Sequence, residues 1–150
     1  MEKIASFKVD HETLKKGLYI SRVDADVITY DLRMTRPNLQ EPMESGEMHT
    51  IEHLGATFLR NSEHKDRIIY FGPMGCRTGF YLLTRELSGE VLIELLKKCF
   101  AFIESFSGEI PGASPKECGN YRDMDADGAK IRAAAYGRVL ERWTVEQMSY

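Results

Sequence analysis

The sequence predicts an α+β fold, a two-layer sandwich of a mainly antiparallel sheet packed by helices. Three observations lead there. Two segments with strand period flank a short turn, a later segment repeats its apolar residues at helical spacing, and 150 residues suit one core, so positions 1–150 form a single domain.

Leu18 to Val23 and Val27 to Met34 read as strands joined at Asp24-Ala25-Asp26. In the second, Ile28, Tyr30, Leu32 and Met34 share one face while Thr29, Asp31 and Arg33 share the other, the alternation of a half-buried strand. Arg36-Pro37-Asn38 ends it, because proline has no N–H for the ladder. A helix follows from Ser45 or Gly46 to Asn61, with Met48, Ile51, Leu54, Gly55 and Phe58 at helical spacing and Ser45 placed to cap it. Ile68 to Phe71 and Phe80 to Thr84 are short apolar strands around the glycine-rich loop Gly72 to Gly79. After Ser88, Leu92, Leu95, Leu96, Cys99, Ile103 and Phe106 mark the clearest amphipathic helix. Ser107 to Asn120 holds five glycines and prolines and reads as a loop. A last helix, Asp125 to Gln147, carries Ala129, Ala133, Tyr136, Leu140 and Trp143. Strand order is not legible at this level.

Composition removes several function classes. Hydrophobic residues at 43% and charged residues at 29% exclude a largely disordered chain. The longest apolar candidate, Val91 to Phe106, is interrupted by Glu94, Lys97, Lys98 and Glu104, so no membrane span is expected. Twenty cationic against 23 acidic residues, without a basic stripe, lack the footprint of nucleic-acid binding. The beginning MEKIASFKVD has no apolar signal region, which points to a cytoplasmic protein. Three irregularly spaced cysteines do not resemble a disulfide framework.

The chemistry concentrates in His49-Thr50-Ile51-Glu52-His53. One helical face would carry both histidines, one turn apart, beside Glu52, while Ile51, Leu54 and Phe58 face the core. Imidazoles at i and i+4 can reach one cation; the plain alternative is a surface helix with two incidental histidines. Cys118, in Glu117-Cys118-Gly119-Asn120, is the best candidate for a third ligand. Two histidines and a thiolate leave a coordination position open, as catalytic sites do. Cys99 sits on an apolar stripe, and His64 lies in a polar surface stretch. The second reactive candidate is Cys76, among glycines that let backbone approach a ligand; the alternative is a tight turn with an incidental cysteine. Arg77 beside it could support a thiolate, unless extended geometry points the two apart.

His49-Thr50-Ile51-Glu52-His53-Leu54, Pro73-Met74-Gly75-Cys76-Arg77-Thr78-Gly79-Phe80-Tyr81 and Glu117-Cys118-Gly119-Asn120-Tyr121-Arg122-Asp123 together resemble the S-ribosylhomocysteine lyase (LuxS) family. The resemblance extends from Ser6-Phe7 and Asp10-His11 to the last helix. It implies a homodimeric enzyme of the activated methyl cycle, with sites at the dimer interface. Its substrate is S-ribosylhomocysteine, cleaved to homocysteine and 4,5-dihydroxy-2,3-pentanedione, the precursor of a quorum-sensing autoinducer. It also implies one divalent metal per subunit, Fe²⁺ natively, with Zn²⁺ or Co²⁺ able to substitute, held by His49, His53 and Cys118. In the family route the sugar carbonyl moves from carbon 1 to carbon 3 through enediolates before β-elimination. Glu52 and Cys76 match the acid/base residues, and Ser6, His11 and Arg33 match positions close to the substrate. On the residues alone, Arg33 could equally be an exposed strand cation. Many relatives carry Asp-Ile-Ser where this chain has Tyr70-Phe71-Gly72, so the homocysteine end would be held differently here.

Two rival readings make distinct predictions. His49-x-x-Glu52-His53 also fits an inverted-motif zinc metallopeptidase, for which a carboxylate such as Asp123 would be the third ligand. A metal-stabilised binding module would close the site with four protein ligands.

Overall fold

Strand alternation and the turn after Asp24 bring the first hairpin together. The computed structural model describes residues 1–150. β1 (Gly17–Asp24) and β2 (Val27–Arg33) pair antiparallel, and Ala25 takes a positive φ of 54° to close the turn. β3 (Ile68–Pro73) and β4 (Gly79–Arg85) form a second antiparallel hairpin, and β4 docks along β2. The four-stranded sheet has the order β1-β2-β4-β3 and every pairing is antiparallel.

Register explains which face is the core. Leu18, Leu32 and Phe80 stand in one row, and Tyr30, Leu82 and Phe71 in the next. These join one cluster with α2 (Ser45–Arg60), α3 (Gly89–Ser105) and α4 (Ala126–Glu141), through Ile51 and Leu54, Leu92, Leu96 and Phe100, and Ala133 and Tyr136. Dispersion and water exclusion over this contiguous apolar cluster hold the two layers together. The opposite face carries Thr29, Tyr81 and Leu83, partly exposed, and Tyr70, half exposed.

Several expectations need correction. α2 is capped by Glu44, whose side chain and that of Glu47 form a reciprocal capping box, while the Ser45 hydroxyl is drawn instead to the Asp123 carboxylate. The last helix stops at Glu141 and resumes only as a 3₁₀ turn at Val145–Gln147. Trp143 leaves the helix to donate its indole N–H to Leu18 O at 2.7 Å, its ring lying over Gly17, where a Cβ would sit 2.3 Å from the nearest ring carbon. A short helix, α1 (Ala5–Lys8), has no counterpart in the expected elements; it buries nothing and therefore shows no apolar stripe. Ser88 does cap α3, accepting from the Val91 N–H. β2 is half-buried only at its start: Asp31 and Arg33, on the polar face, are fully buried.

Candidate metal centre and thiol cleft

The apolar back of α2 fixes where its polar front points. With Ile51 and Leu54 at 0% and 1% exposure in the core, His49 and His53 face the segment between α3 and α4, and Glu52, one residue before His53, is half-buried. That segment is stapled to the first turns of α2. The Asp125 N–H donates to both Gly46 O and Thr50 Oγ1, and the Ser45 hydroxyl bonds Asp123. Gly46 permits the approach, since a Cβ there would lie 3.3 Å from Met124 backbone. Arg132 of α4 adds an ion pair to Glu47 at 2.9 Å.

This stapling brings Cys118 to the histidines. His49 Nε2 lies 3.1 Å from His53 Nε2 and 3.3 Å from Cys118 Sγ, and the three ligand atoms all fall within 4.8 Å of one another. Both Nδ1 atoms face carbonyls, His49 that of Asp123 at 2.9 Å and His53 that of Pro111 at 2.7 Å. A carbonyl only accepts, so each Nδ1 carries the hydrogen and each Nε2 presents a lone pair. Two lone pairs and a sulfur converging on one point repel unless a positive charge sits between them. The two shortest separations approach the ~3.3–3.6 Å edges of a tetrahedron with metal–ligand bonds near 2.0–2.3 Å. The donor set therefore fits a divalent transition metal. Gly112, with φ +73°, lets the loop pass His53, since a Cβ there would be 3.2 Å from its Nδ1. No fourth protein ligand joins this group. Asp123 lends only its backbone to His49 and turns its carboxylate to Ser45, which removes the arrangement a peptidase reading required. Glu52, half-buried, enters no ion pair.

The thiol site lies in the β3–β4 loop. Cys76 is exposed and lines a cleft of about 480 Å³ with His11, Thr78 and residues 37 to 42. Arg77 takes a φ of 61° and sends its guanidinium to Met43 O, so it does not serve its sequence neighbour. The cation on this side is Arg33. At 2% exposure it is no surface residue: Nε and Nη2 donate to Asp31 at 3.0 and 2.5 Å, and Nη1 donates to Thr78 Oγ1 at 2.8 Å. Thr78 Oγ1 is in turn 3.0 Å from Cys76 Sγ. Tyr150 completes the chain, its hydroxyl donating to Asp31 at 2.6 Å while its ring stacks on Tyr19. Burial works to lower the pKa of Arg33, but the adjoining carboxylate outweighs it and the net direction is upward. Burial, aided by the same carboxylate, pushes the Tyr150 phenol up.

The sequence-level candidates thus fall into two groups. His49, His53, Cys118 and Glu52 share one region; Cys76, Arg33 and His11 share another. His11 donates from Nδ1 to Val9 O at 2.8 Å, leaving Nε2 as an acceptor. Ser6, on α1, is half-buried and does not line the Cys76 cleft. Tyr70 is half exposed and lies back across Gly72, where a Cβ would meet its hydroxyl at 2.0 Å. Cys99 is fully buried in α3 and burial pushes its thiol up, as its place on the apolar stripe implied. Sequence reasoning missed Thr78, Asp31 and Tyr150. The Asp31-x-Arg33 spacing, which places both on one strand face, was the available signal for Asp31.

Comparison with known proteins agrees with this arrangement. The model of the S-ribosylhomocysteinase (LuxS) family matches residues 4–147. A protein of Clostridium acetobutylicum named S-ribosylhomocysteine lyase is 46% identical over 156 aligned positions, covering 100% of this chain and 99% of its own. Proteins of the same name from Finegoldia magna and Desulfotalea psychrophila are 48% and 49% identical, each covering 100% of this chain and 99% of theirs.

Proposed function

The chain belongs to the S-ribosylhomocysteinase (LuxS) family, and from that premise we infer that it is an S-ribosylhomocysteine lyase, releasing homocysteine and 4,5-dihydroxy-2,3-pentanedione. The observation that carries the reading is the convergence of two unprotonated imidazole nitrogens and one sulfur. His49, His53 and Cys118 hold one divalent metal, natively Fe²⁺, with Zn²⁺ or Co²⁺ as substitutes for the same ligands. Bound there, such an ion supplies Lewis acidity to carbonyl and hydroxyl oxygens of the sugar.

The chain's own residues move the protons. Each carbonyl shift takes a proton from one sugar carbon and returns one to its neighbour. In the last step a proton leaves the carbon between the carbonyl and the sulfur-bearing carbon, and the C–S electron pair departs with homocysteine. Glu52, held next to His53 and committed to no ion pair, serves as one proton carrier. Cys76, exposed at the mouth of its cleft, serves as the other. His11 Nε2 accepts from a sugar hydroxyl, and Ser6 contributes a polar contact from α1. Arg33 serves the substrate side of the site, against sugar oxygens or, through Thr78, toward the thiol.

A homodimer joins the two groups. Glu52 does not line the Cys76 cleft, and Ile4 and Phe7 at 58% and 71% exposure give α1 an apolar surface that a second copy would cover. The site would then combine residues of both subunits, within a single-domain protein of the cytoplasm, where its three free thiols stay reduced.

Anaerobic purification, metal analysis and a free-thiol assay on S-ribosylhomocysteine test the reading. Thiol release should accompany about one metal per chain. Glu52→Gln and Cys76→Ala should keep the metal and lower turnover by about 10²–10⁴-fold, whereas Cys118→Ala should lose the metal. A folded, fully metallated protein that releases no thiol would overturn the assignment.

A further inference from the structure

We propose that Thr78 is a positioning residue for Cys76, its hydroxyl delivering to the sulfur a hydrogen bond whose direction is set by the buried Asp31–Arg33 pair. The inference rests on the reading of Cys76 as a proton carrier.

The argument is one of donors and acceptors. Arg33 can only donate, and its Nη1 is 2.8 Å from Thr78 Oγ1, so this oxygen accepts from it. The Thr78 hydrogen is thereby turned away from Arg33. Cys76 Sγ stands 3.0 Å from the same oxygen and is the group positioned to receive it. Thr78 is itself held in place: it is 6% exposed, and its own carbonyl accepts from the Met34 and Thr35 N–H groups at 2.9 and 3.1 Å. Upstream, Asp31 fixes the guanidinium through two oxygens, and Tyr150 donates to one of these. Tyr150 and Arg33 donate to Asp31, and Arg33 donates to Thr78; when Cys76 is a thiolate it can only accept, and the last hydrogen then runs from Thr78 to the sulfur. Electrostatic influence of the buried cation reaches an exposed sulfur without the guanidinium itself leaving the sheet. Besides this chain, the ionisable groups lining the cleft around Cys76 are His11 and Glu41; Arg77 is turned to Met43.

The test uses the metal-loaded protein with Thr78→Val, which keeps the β-branched shape, Thr78→Ser, which keeps the hydroxyl, and Tyr150→Phe. The rate of iodoacetamide alkylation at neutral pH is followed on the peptide containing Cys76, alongside kcat and KM for homocysteine release. Thr78→Val should slow alkylation and lower kcat by about 10- to 100-fold, the effect of one hydrogen bond to a charged group, with KM little changed. Thr78→Ser should restore both, and Tyr150→Phe should reproduce the loss in weaker form. Alkylation and kcat of Thr78→Val equal to the parent overturn the proposal, as does failure of serine to rescue. Should Thr78→Val not fold, Tyr150→Phe decides by the same two readouts. Full turnover by Cys76→Ala would instead remove the proton-carrier reading, while the alkylation series would still measure the hydrogen bond.

Discussion

Removing the Asp31 carboxylate tests the buried ion pair most directly. Asp31 and Arg33 are 0% and 2% exposed, and their hydrogen bonds measure 3.0 and 2.5 Å. Asp31→Ala leaves a guanidinium enclosed with two of its donors unpaired, and takes from Tyr150 the acceptor of its hydroxyl. Breaking one side of such a pair costs about 3–5 kcal/mol, a fifth or more of the roughly 5–15 kcal/mol stability of an ordinary domain. Trp143, the single tryptophan, reports on unfolding, since it is bonded to Leu18 of the same sheet. With a urea dependence near 2 kcal/mol per molar, the midpoint should fall by about 2 M. Asp31→Leu combined with Arg33→Met removes both charges, and replacement of a buried pair by apolar residues is often close to neutral, so the double variant should regain most of the loss. A midpoint for Asp31→Ala within about 0.5 M of the parent would refute the reasoning, and so would a double variant no better than the single one.

Other outcomes follow from the same geometry. Gly79→Ala places a Cβ 2.1 Å from Leu32 O, a backbone atom that can move only by parting β2 from β4, and thermal denaturation should show a loss of about 1–3 kcal/mol. Gly112→Ala combines a φ of +73° with a Cβ 3.2 Å from His53 Nδ1; chelator competition should show metal held about 10-fold less tightly. At alkaline pH the Tyr150 phenol, raised above its ordinary 10.0 by burial and then by Asp31, keeps its proton longer in the folded chain than in the unfolded one. Its contribution is complete below that ordinary value and is lost as pH climbs beyond it, so the urea midpoint should decline above pH 10 and decline less in Tyr150→Phe. Mixing inactive Glu52→Gln with inactive Cys76→Ala should restore about a quarter of parental activity if each site draws one of these residues from each subunit of a twofold dimer; no recovery after subunit exchange would argue that both come from one chain.

How much of this was legible in the sequence depended on whether a residue's role is local. The helical stripes through Leu54 and Leu92 and the alternation through Tyr30 and Leu32 are short-range patterns, and the sheet and three main helices follow them closely. Imidazoles at i and i+4 are equally local, and a thiol beside glycine in an irregular loop completed the set. The end of α4 was not visible because Arg142, Trp143 and Thr144 include no glycine or proline; what stops the helix is the attraction of Trp143 to Leu18 and Gly17. Ser45 and Glu44 can both cap, and only the arrival of Asp123 decides between them. On its neighbours alone Arg33 stayed open between a site residue and an exposed strand cation, because nothing near it in sequence announces Thr78 or Tyr150, which lie 45 residues from Arg33 and 119 from Asp31 respectively.

Those separations bear on how the molecule is made. The first hairpin emerges early in synthesis, yet its closing bonds come from Tyr136, Trp143 and Tyr150, 119, 125 and 119 residues beyond their partners. A growing polypeptide on the ribosome therefore carries Asp31 without the hydroxyl of Tyr150, and Gly17 and Leu18 without Tyr136 and Trp143, until residues 136 to 150 have emerged. Long-range closure of this kind slows folding and leaves apolar surface open to chance encounters in the meantime. Truncated translation products should consequently be the form most in need of chaperone protection.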